Sequence, residues 1–596
     1  MIRPSSISIV IALLAEVPSL AQTTTRVSVD SSGMQAVDDS HFPSMTPDGR
    51  FVAFASSASN LVPNDTNNKA DVFVRDRLLG TTERVSVSFL GAEGNDASGW
   101  FGQGSYPALS ITPDGRFVVF TSYASNLVPS SDTNPYRDVF LRDRWDGTTE
   151  IISVDSAGAQ HIGSAGSTAI SADGRFVAFA SSAVFTPNDF NYAYDIFVRD
   201  RLLGTTTIVS GGGDQGGADS GHPSLSADGH YLVFDSNNHG LVPGDSNNTT
   251  DVFWRDLQTN LIVCLSVSDA HQQGNSYSYG ATISSDGRYV AFASDATNLV
   301  PNDTNGADDV FVRDMVNQTL KRVSVASSGM QVYGTSYSPS ISADGRFVTF
   351  QSTASHLAPN DTNGSADVFV HDTLTGETTR VSVDSNGAQA DDNGLNLYPS
   401  ISADGRYVAF ASIATNLVSG DTNGAKDIFV RDRGDASAFQ AFCFGDGNGA
   451  ACPCANDGAP AHGCDNSAAT GGARISVGGV ASLASDTVQM TSHGELLTAL
   501  SIVLQGSSAI APINFGDGLR CAGGSLKRLY VKTASGGSIT APEASDPSIA
   551  SQSSTLGDPI PLGATRAYQV YYRDPNLAFC AGGFNVSSAI AIAWGS

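Results

Sequence analysis

Apolar residues in this chain fall in short runs rich in Val, Phe and Ile, separated by clusters of Gly, Asn, Asp and Pro. One stretch reads Ala281-Thr-Ile-Ser, Asp286-Gly-Arg, Tyr289-Val-Ala-Phe-Ala-Ser, Asn298-Leu-Val-Pro-Asn-Asp-Thr-Asn-Gly, Asp309-Val-Phe-Val-Arg-Asp and Leu320-Lys-Arg-Val-Ser-Val. No 3.6-residue periodicity is sustained, so these segments predict strands joined by turns. In the second strand, as in Phe51-Val-Ala-Phe-Ala, both pleat faces carry apolar or small residues. A sheet built from such strands is covered on both sides.

The pattern repeats seven times. Its Asp-Gly marker stands at Asp48, Asp114, Asp173, Asp228, Asp286, Asp344 and Asp404, with gaps of 66, 59, 55, 58, 58 and 60 residues. That period suits one four-stranded propeller blade with generous loops. Six units end in a fourth strand, the first in Thr82–Val87, but none follows the seventh third strand at 427–433. The matching segment, Thr24-Thr25-Arg26-Val27-Ser28-Val29, lies near the amino end. The expectation is an all-β, seven-bladed β-propeller over 22–433, closed one-plus-three by that strand. A solenoid of stacked sheets gives no reason for the displaced strand and leaves two raw edges.

The phrases Ser342-Ala-Asp-Gly-Arg-Phe-Val-Thr-Phe and Asp367-Val-Phe-Val-His-Asp resemble the TolB-like, WD40-like (PD40) propeller repeats over residues 23–433. The resemblance implies the fold and names no activity. TolB itself has a separate domain ahead of six blades, for which this chain has no room.

Both ends differ from the repeat. Arg3, the apolar stretch 7–15 and the small residues Ser19 and Ala21 read as a secretory signal spanning 1–21. No later stretch is long and apolar enough to span a bilayer. Six of the seven cysteines, Cys443, Cys452, Cys454, Cys464, Cys521 and Cys580, follow a linker at 434–442. An even count in an exported protein predicts three disulfides, with fifteen pairings open. The favoured set joins Cys521 to Cys580 and pairs the first four among themselves; their spacing matches no ordinary zinc site. Cys264 reads as a buried small hydrophobe. Runs 500–504, 529–532, 568–572 and 589–594 predict a disulfide-containing β-sandwich over 443–596. Its Phe515-Gly-Asp-Gly-Leu-Arg-Cys and Tyr568-Gln-Val-Tyr-Tyr-Arg segments resemble carboxyl-terminal modules of exported proteins from environmental bacteria such as planctomycetes, which implies surface attachment or sorting. A secreted, periplasmic or cell-surface monomer is expected.

Charge is lopsided at −27, and residues 434–596 hold 11 acids and 7 bases, which leaves −23 on residues 1–433. A nucleic-acid partner would be repelled. Much of the acidity recurs as Asp-x-Asn-x-x-x-Asp between the second and third strands: Asp65/Asn67/Asp71, Asp132/Asn134/Asp138, Asp189/Asn191/Asp195, Asp245/Asn247/Asp251, Asp303/Asn305/Asp309, Asp361/Asn363/Asp367 and Asp421/Asn423/Asp427. Alternating oxygen donors suit Ca²⁺, although a fifth-position Asp and a terminal bidentate Glu are missing. Side-chain capping of a tight turn is the other reading. Arg288 of Asp-Gly-Arg and the pair Arg313-Asp314 read as blade-to-blade ion pairs. His41 and His222, near Pro43 and Pro223, read as loop residues.

Propeller topology puts the acidic loops and the long fourth-to-first connections on one face. Those connections carry Trp100, Tyr106, Tyr277, Tyr279, Tyr337 and Tyr398, a candidate ligand face for a protein or polysaccharide. No G-x-S-x-G, H-E-x-x-H, S-x-x-K or P-loop is present. The leading expectation is a non-catalytic binding propeller, and the alternative is a glycan hydrolase or lyase acting at the channel mouth. A copy-breaking acid lining the channel favours the enzyme; an uncharged aromatic rim favours binding.

Overall fold

The computed structural model describes residues 22–99, 109–129, 132, 134–211, 218–391, 397–434, 439–442, 452, 464–468, 470, 472–478, 483, 486, 488–515, 517–543, 545–561, 564–574 and 584–594. The repeat forms seven antiparallel four-stranded sheets. Blade 1 is Ser40–Met45, Phe51–Ser56, Asp71–Asp76 and Thr81–Arg84. Blades 2 to 6 take residues 109–151, 165–208, 220–264, 278–322 and 336–380. Blade 7 is Leu397–Ile401, Tyr407–Ser412 and Asp427–Asp432, completed by Thr23–Arg26. Register runs from Thr23↔Asp432 to Arg26↔Phe429, so the ring closes one-plus-three as the displaced strand requires.

Why the blades stack is visible in the second and third strands. Val52, Ala53, Phe54 and Ala55 have no exposed surface, and one core cluster joins Phe54 and Phe73 to Ala409, Ala411, Ile428 and Val430 of blade 7. Within the blade, Phe54 and Phe73 stack with centroids 5.9 Å apart. The Asp-Gly marker serves the same packing. Asp48 Oδ1 accepts from Arg50 N at 2.9 Å and from the Thr46 hydroxyl at 2.6 Å. Gly49 has φ +71°, and a Cβ there would lie 2.3 Å from the Tyr407 ring of blade 7. Only glycine satisfies both the left-handed turn and that approach.

The arginines divide their work differently from the expectation. Arg288 pairs with Asp314 at 2.9 Å inside blade 5, because Tyr289 and Asp314 face each other in one hairpin. The blade-to-blade link is made by Arg313, which donates to the Val267 carbonyl at 2.9 Å and pairs with Asp269 on the segment trailing blade 4. His41 and His222 are also corrected, since both lie on first strands, Ser40–Met45 and Ser220–Leu225.

Beyond the ring, Phe439–Phe442, Phe584–Ala593, Thr565–Arg573, Leu500–Phe515 and Gly518–Thr533 form a five-stranded sheet in that order. Arg474–Gly478, Gln489–His493 and Ser538–Ala541 form a three-stranded one. Val503, Tyr568 and Ile590 of the first share a core with Ile475, Met490 and Ile539 of the second. A short helix, Ile549–Thr555, was not expected from the sequence. Cys452 and Cys464 form a disulfide, and Cys521 is disulfide-bonded too. Cys443, Cys454 and Cys580 lie outside the described residues, as does the signal segment 1–21. Cys264 is free and only partly buried, and its thiol is pushed up to about 12, first by burial and then by the charge of Asp251. Among the described residues no helix is long and apolar enough to cross a membrane.

Candidate functional site

Each acidic trio is assembled where its second-to-third loop enters the third strand. In blade 1, Asp71 is buried and accepts from the Ser86 hydroxyl. Asn67 caps the turn by accepting from Lys69 N at 2.7 Å and donating to the Gly94 carbonyl at 2.8 Å. The Arg84 guanidinium sits 3.5 Å from Asp65 and 3.1 Å from Asp71. Three other blades repeat this arrangement. Arg322 lies 3.2 and 3.0 Å from Asp303 and Asp309, Arg380 3.6 and 3.3 Å from Asp361 and Asp367, and Arg26 3.3 and 3.1 Å from Asp421 and Asp427. Asn305 and Asn423 donate to the second Asp of their trios, and Asn363 to the Ala390 carbonyl.

Strand register places Ile151, Ile208 and Cys264 at the arginine position in blades 2, 3 and 4. Blade 4 keeps the amide that blades 5 and 6 carry beside their arginines: Gln273 Nε2 donates to Asp245 at 2.7 Å and to Asp251 at 2.9 Å, with Asn247 adding a bond to Asp251 at 3.0 Å. In blade 2, burial and then the Asp132 carboxylate push Asp138 up to about 7, while Asn134 donates to it at 2.9 Å. That pair can share a proton. In blade 3 burial pushes Asp195 up to about 6, and one oxygen each of Asp189 and Asp195 is buried without a hydrogen-bond partner.

A second site lies where blades 3, 4 and 5 meet, with Arg137 of blade 2 at its edge. A cavity of about 750 Å³ is lined by Tyr194, Tyr277, Tyr279, His222 and the carboxylates Asp219, Asp235, Asp295 and Asp308, with Arg137 as a cation. These residues come from strand starts and ends on the face bearing the acidic loops and the fourth-to-first connections. A bulge between Gly221 and Ser224 holds His222 at φ +51°, and its Nδ1 lies 2.6 Å from Asp235 Oδ2. That oxygen also accepts the Gly280 N–H of blade 5 at 2.9 Å. In blade 6, Gln351 occupies the equivalent position and accepts the Tyr398 N–H at 3.1 Å. Asp235 therefore carries a backbone-satisfying role as well as a charge. Tyr279 donates its hydroxyl to Asp308 at 3.1 Å. Burial raises the Asp308 pKa, the tyrosine bond opposes that, and the nearby Asp295 charge adds to it. Asp295 Oδ1 is buried without a hydrogen-bond partner.

The predicted aromatic face is thus partly assembled. Tyr277, about half exposed at 52%, and Tyr279 line the cavity. Tyr398 instead packs on Phe42 at 4.7 Å across the junction of blades 7 and 1, and Tyr337 sits on the first strand of blade 6, outside the lining. Trp100 and Tyr106 lie outside the described residues. Sequence reasoning took His222 for a loop residue and passed over Asp235, Asp295 and Asp308. Their signal is departure from the repeat: Asp235 stands where Ala55, Ala180, Ala293 and Ala411 stand in other blades.

No protein-family model matches the sequence, and neither does any curated protein. Among solved structures, the chain is similar to an oligogalacturonate lyase in complex with manganese, at 12% identity over 69% of this chain and 96% of that one, TM-score 0.41. It is similar to a TolB from Agrobacterium tumefaciens at 13% identity over 69% and 97%, TM-score 0.29. The Cps50 (Swd1) β-propeller domain of Myceliophteria thermophila gives 10% identity over 68% and 98%, TM-score 0.38. At such identities and TM-scores the likeness says nothing about chemistry, and the seven-bladed architecture rests on the strand pairing itself.

Proposed function

We propose that this chain is an exported, non-catalytic binding protein that receives a polysaccharide segment in the cavity between blades 3, 4 and 5, with residues 443–596 serving attachment or sorting. The observation carrying this reading is the combination of tyrosine rings with carboxylates in one cavity. Ring faces pack against the apolar faces of sugars, and carboxylate oxygens accept from their hydroxyls. The Cys452–Cys464 disulfide suits a non-reducing compartment. A glycan array probed with the full chain, followed by calorimetry on the best ligand, tests it. Tyr277→Ala is expected to weaken binding at least about tenfold, and an array without a single saturable ligand would refute the reading.

A second reading, glycan hydrolysis, is favoured by one feature: Asp308, raised by burial, beside Asp295. A carboxyl raised by burial beside a second carboxylate is the arrangement that an acid role demands. Turnover of chromogenic glycosides that Asp308→Asn abolishes, with folding intact, would decide for the enzyme; no turnover across the panel decides against it.

A further inference from the structure

We propose that the loop from Asp189 to Asp195 in blade 3 holds a hard divalent cation, Ca²⁺ by the chemistry of its donors, in the place that an arginine side chain fills in four other blades. The repeat supplies its own comparison. Blades 1, 5, 6 and 7 set a guanidinium 3.0–3.6 Å from both carboxylates of the trio. Blade 4 uses the Gln273 amide to bond both. In blade 3 the facing position is Ile208, opposite Phe197, and no ion pair reaches Asp189 or Asp195 among the described residues.

Both carboxylates are nonetheless inside the protein, Asp189 at 3% exposure and Asp195 at 1%. Oδ2 of each is buried and without a hydrogen-bond partner. The exposed Asp219 adds a third negative charge close enough to act on Asp195. A buried carboxylate pair without a counter-charge is costly, and the oxygens left free are the ones a cation would take. The Asn191 side-chain oxygen is taken by Ala193 N at 3.0 Å and Asp195 Oδ1 by the Ser210 hydroxyl at 2.6 Å, so the free Oδ2 atoms of the two carboxylates are the hard oxygen donors offered to Ca²⁺. With water completing the shell, the affinity belongs in the ~0.1–1 mM range of extracellular modules. The loop also adjoins the cavity, since Tyr194 lines it and its N–H donates to Asp219 at 2.9 Å.

The test uses the full chain freed of metal with a chelator. Tb³⁺ is titrated in with excitation through tyrosine, because Tyr192 sits inside the loop, and Ca²⁺ is then used to displace it. Saturable sensitised emission is expected, together with a melting temperature raised by millimolar Ca²⁺. Ile208→Arg, which gives blade 3 the arginine of its neighbours, is expected to abolish that emission and to raise the metal-free melting temperature. Asp189→Asn, nearly the same shape and the safer variant for folding, is expected to weaken binding at least about tenfold. Absence of emission and of any Ca²⁺ effect on melting overturns the proposal. So does binding that survives unchanged in both variants, which would place the ion in another loop.

Discussion

His371 shows how one residue departs from the repeat and changes the chemistry of its blade. Six blades carry arginine here, and Arg75, for example, donates to the Asp30 carbonyl and to the Thr82 hydroxyl at 3.0 Å each. His371 Nδ1 lies 2.8 Å from the Thr378 hydroxyl, which itself donates to the Val325 carbonyl at 2.6 Å. The hydroxyl proton is spent, so Nδ1 must carry the ring hydrogen and donate it. His371 and His41 are both 5% exposed, and burial depresses each to about 4 from an ordinary 6.5. Between those values the unfolded chain binds more protons than the folded one, so stability rises with pH through the window and falls on acidification. Each histidine is expected to remove on the order of 2 kcal/mol between about pH 7 and about pH 4.5. Urea midpoints of wild type and His41→Gln/His371→Gln at the two pH values check this: the variant should lose less, and parallel losses would refute it.

At the level of elements, the closing strand does more than pair an edge. Val27, 2% exposed, bonds the Ile428 carbonyl at 2.8 Å, and Arg26 neutralises both Asp421 and Asp427. Deleting residues 22–30 exposes the third strand of blade 7 and leaves that carboxylate pair without its cation. A loss on the order of 5 kcal/mol is expected from these combined effects, visible in calorimetry as a lower and broader transition; an unchanged melting curve would show that the ring does not depend on this strand. The closure was legible because seven copies make a missing fourth strand conspicuous, and Asp-Gly was legible as a turn. Its approach to Tyr407 was not, since that contact spans the ring junction. Nor was the cation inside the acidic trio, because Arg84 meets Asp71 only through the register that sets it opposite Phe73. The helix Ile549–Thr555, two turns long, is too short for its periodicity to show.

On the scale of the whole molecule, the cavity is lined by residues of four successive blades, from Arg137 of blade 2 to Asp308 of blade 5, which no single repeat announces. Its four carboxylates and single arginine belong to a ring that bears most of a −27 net charge. A focused negative potential in such a recess selects ligands by sign. Neutral and amine-bearing oligosaccharides are therefore expected to bind, whereas uronic-acid polymers of equal length are excluded. Salt should separate the two contributions. Raising ionic strength from about 0.02 M to about 0.5 M shortens the screening length to a few ångströms, so affinity for an amine-bearing ligand should fall severalfold while that for a neutral one barely changes. Asp295→Asn should flatten this salt dependence without altering the neutral ligand's affinity, because it removes a charge and leaves the tyrosine rings in place. Isothermal titration of matched neutral, amino and uronic oligosaccharides at the two salt concentrations measures all of this. A preference for the uronic ligand would mean that the acidic lining does not face the bound sugar.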